Sequence, residues 1–380
     1  MIKSVMPLSR NILIIICLAM ITGMLFIGLW PFNYSQPNQV LPMEGGDGIR
    51  FGGGGIALSR AGSAQQEDIL SKEPVTLQLR LKPERTYHRG IPHILSLCDR
   101  TGREVFFLGQ WRTYLIVRLM DGSGWLDRIK RQAGFKDLLI PGKQVLVTLV
   151  FSGGDMDVYA DGSPVRRYSG FKLGEALADR PVRSLVLGNS SLADRPWRGE
   201  IFDLSVARTR PDEEAVQDRY DRWTEGDGGP TGTEGGIITY RFDNYSGRTI
   251  RNASGDQWDL VIPGNLTPLR RELLSLPERE YLRSGSFYLD AAVNLFGFIP
   301  FGWLGAWLLL PCSQRQRWLC IALPALAGGL LSLVIEVNQA FLVYRNSSIT
   351  DLVLNTLGAA VGALCVVAYS SIRASGKQSG

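Results

Sequence analysis

Four long apolar stretches constrain this chain more than any other feature of its sequence. The first, 11–30, contains no charged residue, and a helix of this length covers the roughly 30 Å of hydrocarbon in a bilayer. Three more follow near the C-terminus, at 287–310, 318–342 and 349–369. We therefore predict four membrane-spanning helices.

The first stretch has an alternative interpretation as a cleaved signal peptide. Such a peptide has an apolar region of about 7–15 residues that ends at a small-residue cleavage site. Here the run is longer and continues into "WPFNYSQ". We therefore predict an uncleaved membrane anchor.

Basic residues flank the spans unevenly. Lys3 and Arg10 precede the first span, Arg315 and Arg317 lie between the second and third, and Arg373 and Lys377 follow the fourth. Only Arg345, in the short loop before the fourth span, falls on the other side. Positive residues mark the cytoplasmic side of a membrane protein. We therefore predict a multi-pass protein of the cell (inner) membrane, with cytoplasmic N- and C-termini and an extracytoplasmic region, periplasmic or extracellular, between the first two spans.

The predicted domains follow from these spans. They are a cytoplasmic N-terminus at 1–10, a first span at 11–30, a linker at 31–40, a β-sandwich at 41–265, a linker at 266–286, a three-span membrane domain at 287–372 and a cytoplasmic tail at 373–380.

Short apolar runs separated by turn residues fill the region between the first two spans. In Val75–Leu81 every second residue is apolar, the pattern of a strand with one solvent-exposed face. The strings "SGGD", "ADGS" and "DRTG" separate such runs at spacings typical of an antiparallel sandwich, and only 211–223 favours a short helix. The predicted fold class is mixed: a four-span α-helical membrane bundle plus an extracytoplasmic all-β antiparallel sandwich.

Several strings in this region carry a family resemblance. "GIRFGGGGIALS", "EPVTLQLRLKP" and "VLVTLVFSGGDMDVYADG" resemble, in this order, a laminin-G-like or concanavalin A-like lectin/glucanase domain. The resemblance implies a jelly-roll sandwich that binds carbohydrate. "ITYRFDNYSGRTIRNASGDQWDLVIPGN" resembles the opening strand of such domains but follows the rest, so either the strand order is rearranged or an extra strand closes the sandwich.

Composition excludes several classes of function. Lys and Arg number 41 against 36 Asp and Glu, and this net charge of +5 is far from the dense basic face of a nucleic-acid-binding protein. Two histidines exclude a His-rich metal site, and a four-cysteine zinc site would need cysteines that lie far apart along the chain, so metal catalysis is disfavoured. Cys98 is the only cysteine of the predicted outer domain, and we interpret it as a buried strand residue rather than a nucleophile.

The predicted sandwich offers few candidate site residues. Glucanases of the resembling superfamily carry an E-x-D-x-x-E cluster, because retaining hydrolysis needs two carboxylates about 5–5.5 Å apart, and this sequence lacks it. The sequence therefore leans against an enzyme and assigns no catalytic residue. Trp111, Trp125 and Trp197 are candidates for stacking on a sugar ring; core packing is the preferred interpretation of Trp197 and the open alternative for the other two. Asp155 and Asp157 share a strand face and are interpreted as hairpin residues, with Ca²⁺ binding as the alternative; no other cofactor is expected.

Polar residues inside the predicted spans are the most informative feature for function. An ionisable group in hydrocarbon costs about 2.5–3.5 kcal/mol on insertion scales, so such groups are usually paired, hydrated or functional. With the predicted threading, the carboxylates of three spans lie at a similar depth near the outer leaflet. The alternatives are a purely structural interhelical clasp and, for Asp351, a helix N-cap. The predicted membrane polar pocket comprises Asp290, Asn294, Glu336, Gln339, Arg345, Asp351 and Asn355.

The spans also carry a family resemblance. "WPFNY", "DAAVNLFGFIPFGWLG" and "SLVIEVNQAFLVYRNSSITDLVLNTLGAAVGA" resemble the VanZ-like family, whose members include a teicoplanin-resistance protein. The resemblance implies the membrane fold but no reaction, and the sandwich is an insertion relative to it. The positions that match by motif are Asp290, Asn294, Pro300, Glu336, Gln339, Arg345, Asp351, Asn355 and Gly358.

Together these observations predict a cell-envelope protein. We expect its sandwich to bind a glycan or a protein partner, and its membrane pocket to take a lipid-linked or cell-wall component, with a link to glycopeptide resistance or polysaccharide processes. The expected partners are the lipid bilayer and an envelope or lipid-linked glycan, without nucleic acid. Two alternatives stay open: a membrane-embedded transferase or hydrolase acting on a lipid-linked glycan, with Glu336 or Asp351 as general base, and a non-enzymatic scaffold.

Overall fold

The computed structural model describes residues 9–43, 48–60, 72–87, 90–120, 129–225, 235–276, 285–310, 316–343 and 345–376. The chain divides into two compact units. One is Ser35–Arg270, and the other combines Met1–Tyr34 with Arg271–Gly380. The first is a large antiparallel β domain and the second is helical, so the mixed fold class is confirmed.

Four helices of the helical unit are long and apolar enough to cross a membrane, in agreement with the four predicted spans. Two shorter helices belong to the β unit. In chain order the helices of the described residues are α1 (Arg10–Leu29), α2 (Leu173–Ala178), α3 (Glu213–Thr224), α4 (Gly285–Leu309), α5 (Leu319–Gln339) and α6 (Ile349–Gly376).

Sixteen strands lie in the described part of the β unit. They are β1 (Val40–Pro42), β2 (Ile49–Gly52), β3 (Ala57–Arg60), β4 (Val75–Pro83), β5 (His93–Cys98), β6 (Glu104–Trp111), β7 (Tyr114–Met120), β8 (Ile129–Phe135), β9 (Val145–Ser152), β10 (Asp155–Ala160), β11 (Ser163–Tyr168), β12 (Ser184–Leu187), β13 (Arg198–Ala207), β14 (Gly236–Ser246), β15 (Thr249–Asn252) and β16 (Leu260–Val261).

All strand pairs are antiparallel, and the sheet folds over itself into a sandwich. Its order is β11-β10-β9-β4-β13-β14-β15-β16-β3-β12-β5-β6-β7-β8, with β2 also paired to β13. The rings of Phe106 and Phe151 meet edge-on at 5.9 Å although their strands, β6 and β9, are not neighbours in the sheet, so these residues pack across the core.

The last strands of the β unit explain the unusual order of its resembling segments. β14, β15 and β16 bond to one another, and they join β13 to β3. The segment that resembles an opening strand is therefore added where the two halves of the sheet meet. Of the two alternatives drawn from the sequence, this is an addition that closes the sandwich.

One expectation for β4 was wrong. The alternation in Val75–Leu81 predicts one solvent-exposed face, yet Thr76 and Gln78 are buried as well. The cause is α3, which covers that face: the Arg219 guanidinium donates a 2.8 Å hydrogen bond to the Gln78 side-chain oxygen. Asp212 caps this helix by accepting a 2.9 Å bond from a backbone N–H.

The four membrane helices alternate in direction. Near the start of α1, Leu13 packs in one cluster with Trp307 of α4 and Val366 of α6, both late in their helices. At the opposite end, the Gln339 side chain of α5 donates a 2.8 Å hydrogen bond to the Gly28 carbonyl of α1. Antiparallel neighbours joined by short connections are the usual arrangement of a helix bundle.

Glycines allow α4 and α6 to approach closely. A Cβ added to Gly358 would collide with the carbonyl oxygen of Leu295, and one added to Gly362 would collide with that of Ile299. This is the small-xxx-small packing of membrane helices, in which the absence of a side chain lets two backbones touch. The pair fixes α6 against α4 in both rotation and depth.

Candidate functional site

Polar side chains from three membrane helices lie at one end of the helical unit. This end is formed by the start of α4, the end of α5 and the start of α6, together with the loop between α5 and α6. At the other end lie Arg10, Arg317 and Arg373, and Arg317 donates a 2.6 Å hydrogen bond to the Ser371 hydroxyl. Three of the unit's arginines therefore lie at the end opposite the acids, whereas Arg345 and Arg271 lie at the acidic end.

Glu336 is the most buried acid of this cluster, with 2% of its surface exposed. Its Oε2 atom accepts a 2.7 Å hydrogen bond from the backbone N–H of Ser348, and the Ser347 side chain also bonds to the carboxylate. Arg345 acts on it electrostatically. The Glu336 carboxylate therefore holds the loop that leads into α6.

Asp351 lies in the first turn of α6 and is only half-buried. The side chains of Asn294 and Ser348 hydrogen-bond to its carboxylate, and Asp290 acts on it electrostatically. Asn294 and Asp290 are four residues apart and share one face of α4. The structure thus brings together the acids of α4 and α6 that the sequence assigned to one pocket.

A second polar layer lies one helical turn deeper. The Asn355 side-chain N–H donates a 2.9 Å hydrogen bond to the Ser332 hydroxyl. Both residues are buried, and the Asn355 Oδ1 atom has no hydrogen-bond partner in the described part of the chain. Asn355 follows Asp351 by four residues and Ser332 precedes Glu336 by four, so each lies on the same helix face as the acid above it.

The two remaining residues of the predicted pocket, Gln339 and Arg345, donate hydrogen bonds to backbone carbonyls at the end of α1. Gln339 bonds to Gly28, as described above, and the Arg345 Nη2 atom donates a 3.0 Å hydrogen bond to the Trp30 carbonyl. Gln339 is buried but Arg345 is exposed at the rim of the cluster. Gln339 is therefore a packing contact, whereas the Arg345 side chain remains accessible.

A short segment ahead of α4 borders the same loop. The Ser275 backbone N–H and hydroxyl both donate to the Ser347 carbonyl, at 2.9 and 2.7 Å, and the Leu274 N–H donates to the Ser347 hydroxyl. The Arg271 guanidinium lies 4.8 Å from the ring centroid of Phe341. These contacts fix the loop from outside the helix bundle while Glu336 fixes it from within.

The sequence prediction missed three serines of this site: Ser332, Ser347 and Ser348. Two of them had a detectable spacing. Ser332 precedes Glu336 by one helical turn, and Ser348 precedes Asp351 by three residues, the spacing of a capping box. Ser347 had none, because its partners Leu274 and Ser275 are distant in sequence.

The candidate residues of the β unit have different outcomes. Trp111 is partly exposed at the end of β6, where it faces Tyr114. Trp125 lies outside the described residues. Trp197 is fully buried and donates a 2.8 Å hydrogen bond to the side chain of Gln110, so it belongs to the core.

Asp155 and Asp157 lie on β10 and both contact Arg167 of β11. Asp155 accepts a 2.8 Å hydrogen bond from this guanidinium, and Asp157 lies 3.7 Å from it. Arg167 and the Gly170 N–H hold the pKa of the Asp155 carboxyl below its usual value. Among the described residues no group of three or more His, Cys, Asp or Glu side chains is placed to hold a metal ion. Calcium binding here stays an untested expectation.

Buried ionisable residues of β5 and β6 form a separate polar cluster. The Glu104 carboxylate lies 3.2 Å from His93 Nδ1 and accepts a 2.9 Å hydrogen bond from the Ser191 N–H. Burial raises the pKa of Glu104, but His93 and these hydrogen bonds outweigh it, so the net pKa is lowered. Cys98 is fully buried nearby, and burial raises its thiol pKa, so we assign it no nucleophilic role.

These features define a membrane protein with four apolar helices, a polar cluster built by three of them, and a large antiparallel β-sandwich. Residues 237–370 match the family model described as VanZ/LLP1. The match covers the last strands of the sandwich and the three C-terminal spans. The C-terminal region therefore resembles the VanZ-like family, as the sequence predicted for the three C-terminal spans, and the first span lies outside the match.

Solved structures resemble the chain at low identity. A protein from Bacteroides ovatus, provisionally described as carbohydrate binding, is 12% identical with a TM-score of 0.39, and the alignment covers 62% of each chain. Trypanosoma rangeli sialidase is 14% identical with a TM-score of 0.39, covering 50% of this chain and 29% of that one. The Ruminococcus gnavus IT-sialidase CBM40 is 16% identical with a TM-score of 0.32, covering 45% and 95%.

The first two alignments span less than two thirds of the length of the structures they match. At these TM-scores and identities none of them assigns a ligand to this chain. The comparison with curated proteins gives no match.

Proposed function

We propose that the helical unit binds the polar headgroup of a lipid-linked or cell-wall component at the cluster of Glu336, Asp351 and Arg345. The observation that carries this proposal is the convergence of carboxylate and amide side chains from three apolar helices. Each such group costs free energy in hydrocarbon, and three helices contribute them at one end of the unit.

The proposed roles follow from exposure. Arg345 is exposed, and a guanidinium offers planar, forked donors suited to a phosphate or a carboxylate. Asp351 is half-buried and is suited to accept hydrogen bonds from headgroup hydroxyl or amine groups. Glu336 is already bonded to the loop before α6, so we assign it the positioning of Arg345 and Asp351.

The depth of the cluster favours a lipid-linked ligand over a soluble one. Arg345 lies beyond the end of α5, where a membrane helix meets the headgroup region. The exposed aromatic side chains Trp30, Phe32 and Phe341 border the same loop or the end of α1. Aromatic residues of this kind occupy the membrane–water interface in membrane proteins.

The test is native mass spectrometry of the full chain purified in a mild detergent. We expect the wild-type protein to retain a lipid with a polar headgroup, and Asp351→Asn and Arg345→Gln each to lower its occupancy at least fivefold. Glu214→Gln, an exposed acid-to-amide change on α3, is the matched control. Equal occupancy in all four proteins would remove the proposal.

For the sandwich we propose glycan binding at its surface. A partly exposed aromatic pair at the end of the β6–β7 hairpin supports it, because aromatic rings combine a large apolar face with a polar edge. The test is binding of the full chain, in lipid nanodiscs, to an array of envelope polysaccharides. A folded sample that binds none of them would contradict the proposal.

A further inference from the structure

The tip of the β6–β7 hairpin combines aromatic rings with arginines. Trp111 and Tyr114 are directly opposite each other, with ring centroids 5.5 Å apart. The Arg112 guanidinium lies 4.8 Å from the Trp111 ring centroid, and that of Arg85 lies 4.9 Å from the ring centroid of Tyr87. Both arginines are exposed. Within the described residues, neither guanidinium is in an ion pair with a carboxylate.

A buried amide holds both arginines in position. Gln110 is fully buried, and its Nε2 atom donates to the backbone carbonyls of Arg85 and Arg112, at 2.8 and 2.9 Å. Its Oε1 atom accepts the bond from Trp197. Both N–H groups of the amide are therefore used to fix two separate segments that each carry an exposed arginine. The Arg112 N–H also donates a 2.9 Å bond to the Tyr87 carbonyl.

The backbone of Arg112 supports a role for its side chain. Its φ is +55°, in the left-handed region where glycine and asparagine are the usual residues. A long side chain here is strained, and such strain clusters at binding sites and at other functional positions. Glycine fits this geometry without strain, so Arg112→Gly removes the guanidinium and leaves the turn intact.

We infer that this hairpin tip binds a carboxylated sugar of an acidic glycan. The sugar ring would pack on the Trp111–Tyr114 pair, and its carboxylate would accept paired hydrogen bonds from Arg112 or Arg85, because a planar guanidinium matches a planar carboxylate. The inference rests on the proposed glycan binding of the sandwich and is independent of the membrane cluster. It specifies the charge of the ligand and the residues that select it.

The experiment titrates the full chain in nanodiscs with three probes: oligogalacturonate, a neutral galacto-oligosaccharide of equal length, and polyphosphate. We expect oligogalacturonate to bind at least tenfold more tightly than either of the others. Arg112→Gly should weaken oligogalacturonate binding about tenfold, a loss that corresponds to roughly 1.4 kcal/mol. This substitution suits the positive φ and so should preserve or raise the melting temperature. Arg166→Gln, on the exposed strand β11, is the control and should bind as the wild type does.

Each other outcome overturns the inference in a distinct way. Equal affinity for the neutral and the acidic sugar would contradict the charge selection while leaving glycan binding intact. Absence of binding to both sugars would remove the inference and the proposed glycan binding together. Polyphosphate could also bind as tightly as oligogalacturonate, with Arg166→Gln weakening the binding as much as Arg112→Gly does. This result would contradict the inference, because it would show only non-specific attraction to a cationic surface.

Discussion

The Glu336 carboxylate accepts a 2.7 Å hydrogen bond from the backbone N–H of Ser348, so the last turn of α5 holds the residue that precedes α6. In a capping box this N–H is taken by the acid three residues later on the same helix. Here that acid is Asp351, and its carboxylate instead contacts Asn294 of α4. The start of α6 is therefore fixed by two neighbouring helices, and the acids serve the packing as well as the proposed binding.

The first prediction concerns this cap. Glu336→Leu keeps the volume but leaves the partly buried Ser348 N–H without its acceptor, so we expect the free energy of unfolding to fall by about 1–3 kcal/mol. Glu336→Gln retains an acceptor oxygen and should lose less. Unfolding of the full chain by sodium dodecyl sulfate in mixed micelles measures both. A leucine variant as stable as the wild type would show that the bond does not hold α6.

The second prediction concerns the contact between α4 and α6. A Cβ at Gly358 or Gly362 would collide with a backbone carbonyl of α4 rather than with a movable side chain. Gly358→Ala and Gly362→Ala should therefore each lower the free energy of unfolding by about 1–3 kcal/mol, the usual cost of overpacking. The same micelle unfolding assay measures it.

Gly297 provides the matched control for these alanines. It lies on α4, the helix that Gly358 and Gly362 contact, but nothing comes within 4 Å of a Cβ added there. Gly297→Ala should leave the protein as stable as the wild type or stabilise it slightly, because alanine is the better helix former. If all three alanines have the same effect, close packing is not the cause.

The third prediction concerns acid stability of the β unit. The pKa of Glu104 is lowered in the fold, as described above. The pKa of Asp99 is also lowered: burial raises the pKa of Asp99, but the hydrogen bonds from Thr101 and Arg180 outweigh the burial. An acid with a lowered folded pKa stabilises the fold above its unfolded pKa, about 3.9 for Asp and 4.3 for Glu, and this contribution is lost as the pH falls below that value.

Hydrogen exchange of the β5 and β6 amides measures this effect locally. Between pH 6 and pH 3 we expect their opening free energy, corrected for the intrinsic exchange rate, to decrease in the wild type. Glu104→Gln should reduce the slope, whereas the exposed change Glu214→Gln should not alter it. If Glu104→Gln leaves the dependence of the opening free energy on pH unchanged, the acid sensitivity of these strands does not come from Glu104.

Much of the fold was predictable because the pattern of apolar residues in the sequence marks the helices and the strands. The four apolar stretches give the four helices, and the alternation in Val75–Leu81 gives β4. Much of the polar cluster was also predictable, since Asp290 with Asn294 and Asp351 with Asn355 have helical spacing. The spacing of polar residues along one helix shows which of them share a face of that helix. Helices joined by short loops pack in few ways, and this brings the polar faces of neighbouring helices together.

The parts that were not predictable depend on distant contacts. The role of Gln110 arises from Trp197 and from the carbonyls of Arg85 and Arg112, and no local pattern distinguishes this glutamine from an exposed one. The burial of Gln78 likewise depends on α3, which is far along the chain. Burial of a polar residue follows from its tertiary partners, whereas the sequence records only its neighbours.

The fourth prediction concerns the orientation of the helical unit. Arg10, Arg317 and Arg373 lie at one end, whereas the carboxylates lie at the other end together with Arg345 and Arg271. From the positive-inside rule we predict that the polar cluster is on the side away from the cytosol. An envelope ligand is available only there. The proposed function therefore requires this orientation.

Cysteine labelling tests this requirement most directly. In a chain whose five native cysteines are replaced by serine, Asn346→Cys probes the loop beside Arg345 and Gln316→Cys probes the opposite end. We predict that a membrane-impermeant maleimide labels Asn346→Cys in intact cells and labels Gln316→Cys only after the membrane is opened. Labelling of Gln316→Cys in intact cells, with Asn346→Cys protected, would contradict the account.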